Sequence, residues 1–226
     1  MKILKHLTLI FTLILFTSCS NDDDGNKSNG TELKKDRDAL IEIYNANTNN
    51  TLTWDISTID VSTWDGITVE NNRVSAVNIG KKNIDNLPVT AMQQLTDLRS
   101  FFANENSIVS INLEKNTKLK RLGLFVNQIQ TIDVSTNILL EQLLLEHNNL
   151  QALDISKLIK LTDLKAHSNN LTGTINIANG NNSNMLRMQL QGNANLTCIK
   201  VDQGAVNGFS GWKKTPNSNY NINCIN

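Results

Sequence analysis

The chain has 226 residues, with 21 basic against 21 acidic side chains. So even a balance leaves no basic footprint for nucleic acid or for an anionic membrane surface, and neither is expected as a partner. With 39% hydrophobic residues and only 2 prolines, the composition suits one continuous ordered domain rather than a disordered chain or two globules.

The N-terminus begins Met1-Lys2-Ile3-Leu4-Lys5-His6, continues with an apolar stretch from Leu7 to Phe16, and ends at Thr17-Ser18-Cys19. A basic start, a short apolar run and small residues before the break read as a secretory signal over residues 1–18, too short to span a bilayer. Thr17-Ser18-Cys19 resembles a bacterial lipoprotein box, although Phe16 stands where an aliphatic residue is more usual. The resemblance implies cleavage before Cys19 and acylation of that residue. Two or three acyl chains hold a protein stably at a membrane. Loss of Lys2 and Lys5 with the leader takes the net charge to about −2. The run Ser20-Asn21-Asp22-Asp23-Asp24 resembles the export signal of surface lipoproteins of Bacteroidetes-type bacteria, and reads alternatively as a solvated linker. Residues 19–31 are expected to form a flexible acidic tether. The implied location is the outer membrane, lipid-anchored, at the cell surface.

Residues 32–73 read as an N-terminal cap. A helix is expected over 31–46 with Thr31 as its N-cap. Ala39, Leu40, Ile43 and Tyr44 are assigned to one face, with Lys34, Lys35, Asp36 and Glu42 on the other. Trp54 and Trp64 follow, then an extended Ile67-Thr68-Val69 and a turn at Asn71–Asn72.

From there the sequence repeats. Asn106, Asn127, Asn148 and Asn169 recur every 21 residues, in step with Leu98, Leu119, Leu140 and Leu161 and with Phe101, Leu122, Leu143 and Leu164. A fixed period of this size marks one supersecondary unit stacked along an axis, a solenoid. In Leu122-Gly123-Leu124 large apolar residues alternate with a small one, as a short strand with one buried face requires. The Asn amide both donates and accepts, so at the turn after the strand it can satisfy backbone groups of two coils and form a ladder. Ile111-Asn112-Leu113, Ile132-Asp133-Val134 and Leu153-Asp154-Ile155 read as second extended segments on the convex side, with their polar residues in solvent. The units opening at Val74 and Leu161 are longer. The first contains Leu87-Pro88 and has Lys82 at its Asn position, so the ladder is expected to start one coil later.

The frame L-x-x-L-x-L-x-x-N-x-L-x-x-L-x-L resembles the leucine-rich repeat family from about Val74 to Val201. The resemblance implies an α/β-type repeat solenoid: a short parallel β-sheet on the concave face, irregular or extended convex segments, and an N-terminal helical cap. About six coils are expected over 74–197. Asp36-Arg37-Asp38-Ala39-Leu40, Trp54 and Trp64-Asp65-Gly66-Ile67-Thr68-Val69 resemble the N-terminal cap of plant-type members, without its paired cysteines, so the two tryptophans must seal it by packing. Residues 198–226 form the expected C-terminal cap. Once Cys19 is acylated, Cys198 and Cys224 remain, and in an exported protein they should pair. The arrangement resembles the C-terminal caps of secreted Bacteroidetes repeat proteins. A bridge closing about 26 residues stabilises by roughly 3 kcal/mol in the chain-entropy model.

Residues beside the strand leucines line the concave face in columns. One runs Asn78, Phe102, Gly123, Leu144, Lys165, Gln189; the next Gly80, Asn104, Phe125, Glu146, His167, Gln191; the third Lys81, Glu105, Val126, His147, Ser168, Gly192. Phe102, Phe125, Val126 and Leu144 are expected as an exposed apolar patch, with Glu146, His147, Lys165 and His167 as polar handles beside it. A metal bridging His147, His167 and Glu146, and a hydrolase using Ser168 with His147 and His167, are the alternatives these side chains offer. There is no HExxH and no evident oxyanion donor set, so no catalytic residue, metal ligand or cofactor is assigned. The expected function is non-covalent binding of another protein by a monomeric, lipid-anchored repeat protein. The alternative is a glycan ligand on the Phe102 and Phe125 rings.

Overall fold

The computed structural model describes residues 24–224. The leader 1–18, the acylation site Cys19 and the start of the tether lie outside the described residues. Helix α1 (Asp24–Ala46) opens the described chain, followed by β1 (Ile67–Glu70) and β2 (Arg73–Asn78). These two strands form an antiparallel hairpin around Asn71 and Asn72, whose φ values of 52° and 56° are those of a tight primed turn. A short helix α2 (Val89–Gln94) completes the first long coil. Strands β3 (Ser100–Phe102), β4 (Arg121–Gly123), β5 (Gln142–Leu144), β6 (Asp163–Lys165), β7 (Gly173–Asn176), β8 (Arg187–Gln189), β9 (Leu196–Lys200), β10 (Trp212–Lys213) and β11 (Asn219–Asn221) follow.

The sheet runs β1-β2-β3-β4-β5-β6-β8-β10, parallel from β2 onward, with each strand one coil from the next. Six coils therefore stack, opening at β2, β3, β4, β5, β6 and β8. Every residue of the two leucine rows, from Leu98 to Leu161 and from Phe101 to Leu164, is buried. Each contributes roughly 1.5–3 kcal/mol by leaving water, so a lone coil cannot fold but a stack can.

The asparagine ladder is present. Asn148 donates from Nδ2 to the carbonyls of Leu124 and Leu145 and accepts from the Ile129 amide at 3.0 Å. Asn106, Asn127 and Asn169 repeat the pattern, and Asn193 extends it by one coil. Lys82 contributes only its backbone: its N–H and that of Ile84 donate to Asn106 Oδ1.

A second ladder runs along the convex side. Asn116 and Asn137 are fully buried and share the 21-residue step. Asn116 Nδ2 donates to the Met92 and Leu95 carbonyls, and Asn137 Nδ2 to those of Leu113 and Asn116. Leu158 interrupts the series, and Asn179 resumes it by donating to the Leu158 carbonyl.

Two expectations need correction, and the extended convex segments can be specified further. The convex segments pair as a sheet only in the last coils, where β7, β9 and β11 lie side by side. In earlier coils the convex polar residue folds back on its own chain: Asn112, Asp133 and Asp154 accept from the backbone N–H two residues on. Such local turns compete with extended pairing. Helix α1 starts at Asp24 rather than Thr31. Residues 24–30 carry no apolar side chain, so hydrophobic periodicity gives no signal for that added length.

The second correction is Asp36, which faces the core rather than solvent and is 0% exposed. It lies three and four residues before Ala39 and Leu40, and so on their face of the helix. Arg73 donates to it with two N–H groups at 2.8 Å each, and the Val74 amide donates to the same carboxylate. Asp36 in turn raises the Arg73 pKa. This clasp fixes α1 on the first strand of the solenoid.

The tryptophans seal the cap as expected. Trp54 and Trp64 are buried and stacked, with ring centroids 5.2 Å apart. At the other end Cys198 and Cys224 are bonded, with Cα atoms 5.9 Å apart. Trp212 covers the last coil, donating from its indole to the Met185 carbonyl and packing edge-on against Phe209 and Tyr220.

Candidate functional site

Strand pairing sets the register of the concave face. Asn78, Phe102, Gly123, Leu144, Lys165 and Gln189 lie opposite one another across successive strands. Beyond the strands, backbone bonds from Glu105 to Phe125, Val126 to Glu146, His147 to His167 and Ser168 to Gln191 keep the second and third columns aligned. The three expected columns therefore exist.

The third column has a backbone property that composition does not reveal. Lys81, Glu105, Val126, His147 and Ser168 all have φ between 54° and 57°, and Gly192 follows at 75°. Each coil leaves its strand through a left-handed residue, immediately before the ladder position, which Lys82 occupies in the first coil and Asn in the others. Only Gly192 adopts that conformation without cost. For the β-branched Val126 it is most unfavourable.

The apolar patch is less open than expected. Val126 is 43% exposed, but Phe102, Phe125 and Leu144 are half-buried. Neighbouring strands lie about 4.8 Å apart, so large side chains in adjacent columns cover one another. The Phe102 ring occupies the space over Gly123, where an added Cβ would meet it at 2.3 Å. Gly123 therefore provides the seat for that ring.

The polar handles cluster beside the patch. Glu146 is 9% exposed, and its nearest cation is Lys165, with Nζ 3.7 Å from Oε1. The His147 and His167 rings meet edge-on with centroids 5.2 Å apart. Burial lowers the His167 pKa, Glu146 opposes that shift, and His147 adds to it. The imidazole is therefore neutral at pH 7. His167 Nδ1 lies 3.2 Å from the Ser168 hydroxyl, so the hydroxyl pairs with its sequence neighbour rather than with His147. Among the described residues no three His, Cys, Asp or Glu side chains converge on a point that could hold a metal ion.

Sequence reasoning missed a fourth column. Ala76, Ser100, Arg121, Gln142, Asp163 and Arg187 precede the buried strand residue and share the concave face. Asp163 Oδ2 accepts from Gln142 Nε2 at 3.1 Å and from Arg187 Nη1 at 3.3 Å. Just outside this column Arg99 pairs with Glu70, and Lys120 lies 3.9 Å from Glu141. The signal was available: in a strand of period two, both neighbours of a buried leucine point the same way.

Protein-family models gave no match to the chain, and neither did curated proteins. Solved structures did. The BIR2 ectodomain from Arabidopsis thaliana superposes with a TM-score of 0.61 at 20% identity, over 71% of this chain and 93% of that one. The leucine-rich repeat ectodomain of the receptor kinase SOBIR1, from the same plant, gives 0.58 at 18% identity, over 72% and 94%. A chain of the Arabidopsis BIR3–SERK2 complex gives 0.53 at 18%, over 80% and 96%. At these identities the likeness is one of fold, and the fold of this chain is the leucine-rich repeat solenoid.

Proposed function

We propose that this chain is an exported, lipid-anchored repeat protein that binds another protein non-covalently through its concave face. The observation carrying this reading is the register of that face. Three successive coils bring Phe125, Val126, Leu144, Glu146, His147, Lys165 and His167 together on one wall, with apolar residues beside polar ones. Aromatic and aliphatic anchors beside polar groups suit a protein hot spot. One of the similar folds was solved in a complex with a second protein, which agrees with this use of the architecture. The anchor rests on Thr17-Ser18-Cys19 and the acidic run after it. No helix among the described residues is long and apolar enough to cross a membrane.

Immobilised protein should capture a defined species from a surface-protein extract while remaining silent on a glycan array. Saturable binding to one array glycan, with nothing captured from the extract, would transfer the face to sugar recognition. Cys19→Ala should abolish labelling by a clickable palmitate analogue. Unchanged labelling would refute the anchor.

A further inference from the structure

The polar groups of the concave face have a one-sided deficit. Three buried side-chain atoms there lack hydrogen-bond partners: Glu146 Oε2, Asp163 Oδ1 and Gln191 Oε1. All three are acceptors. Asp163 is partly served, since its other oxygen accepts from Gln142 and Arg187. Glu146 is not. Among the described residues its Oε2 has no hydrogen-bond partner, and its Oε1 is paired only loosely with Lys165, whose Nζ lies 3.7 Å away. The Glu146 side chain is 11% exposed with Oε2 fully covered, and a carboxylate oxygen so enclosed normally accepts from a donor, because desolvating it without one is costly.

Its surroundings indicate the kind of donor it lacks. Phe125 precedes Glu146 in the same column, one strand away, and His167 and Gln191 continue that column. An aromatic face beside a carboxylate suits a cation, which gains from the ring quadrupole and from the ion pair together. The adjacent His167 is kept uncharged by burial, so it does not repel such a group. Lys165 is the resident cation, a point charge on a flexible stem that can swing aside.

We propose that the partner anchors to this face through an arginine or lysine side chain seated against the Glu146 carboxylate and the Phe125 ring. Neutral donors of the same partner segment, its backbone N–H groups included, continue along the column to Gln191, two strands or about 10 Å further on. This inference rests on the concave face being the protein-binding surface, and it specifies the chemistry of the group bound there.

The test is an amide-shift titration of the isotope-labelled protein with N-acetyl-arginine methylamide. Its citrulline counterpart, which keeps the shape and donors but not the charge, is titrated in parallel. Arginine should give saturable shifts at Phe125, Glu146, Lys165 and His167. Citrulline on the same protein, and arginine on Glu146→Gln, should bind roughly tenfold more weakly. Equal binding of the two compounds by the unaltered protein would overturn the proposal, whether or not the variant folds. Capture of the surface partner separates the two readings. Loss in Phe125→Asp but not in Glu146→Gln would overturn the cationic anchor and leave the concave reading standing. Loss in neither would overturn both.

Discussion

Single asparagines carry an unusual share of this fold. Asn148 serves three backbone groups in two adjacent coils, accepting from the Ile129 amide and donating to the Leu124 and Leu145 carbonyls. Asn148→Leu should lower the unfolding free energy by about 1–3 kcal/mol, read as a lower denaturation midpoint. An unchanged midpoint would mean that water replaces the amide. Val126 is the opposite case, since its side chain costs stability where it stands. At φ 54° a β-branched residue is strained, whereas Asn tolerates that region. Val126→Asn should therefore stabilise by about 1 kcal/mol. If the same change weakens partner capture, the strain is retained for binding. The 21-residue step exposed the first ladder in the sequence. It would have exposed Asn116 and Asn137 as well, but their neighbours are less regular and Leu158 breaks the row.

Among the elements, the two caps decide whether the stack stays closed. Helix α1 is held by the Asp36–Arg73 clasp, which excludes solvent from the carboxylate and also fixes the Val74 amide. Asp36→Ala leaves Arg73 and that amide without their partner. It should cost on the order of 3–5 kcal/mol in chemical denaturation. A loss below about 1 kcal/mol would show that Glu32 and Asp97 take over the pairing. At the C-terminal cap, burial pushes the Tyr220 pKa from 10.0 to about 12. The unfolded phenol ionises near its ordinary value while the folded one stays neutral. The stabilisation is thus complete below about pH 10 and is lost as pH rises toward 12. Tyr220→Phe should flatten that alkaline decline in thermal midpoint, and an identical decline in the variant would place its cause elsewhere. The cap helix was legible in the sequence from Ala39, Leu40 and Ile43, but its buried Asp36 was not. A charged residue was assigned to solvent by its polarity, although its helical position placed it on the core.

For the whole molecule, the architecture was legible because a repeat repeats its errors as well as its signals. One strand read correctly sets the register of all, and the three concave columns lie where the spacing put them. Two features were hidden for physical reasons. Exposure in an array depends on neighbours in the adjacent coil, so Phe102 reads as open until its ring is seen lying over Gly123. The deficit of donors around Glu146 depends on three-dimensional distances that no spacing encodes.

The central claim is that the concave wall is the recognition surface, and Phe125→Asp tests it most directly. Phe125 is half-buried on that wall while the leucines beneath it hold the stack, so a charge at this position should leave the circular dichroism spectrum unchanged. The same variant should lose capture of the surface partner. Undiminished capture by the folded variant would contradict the account.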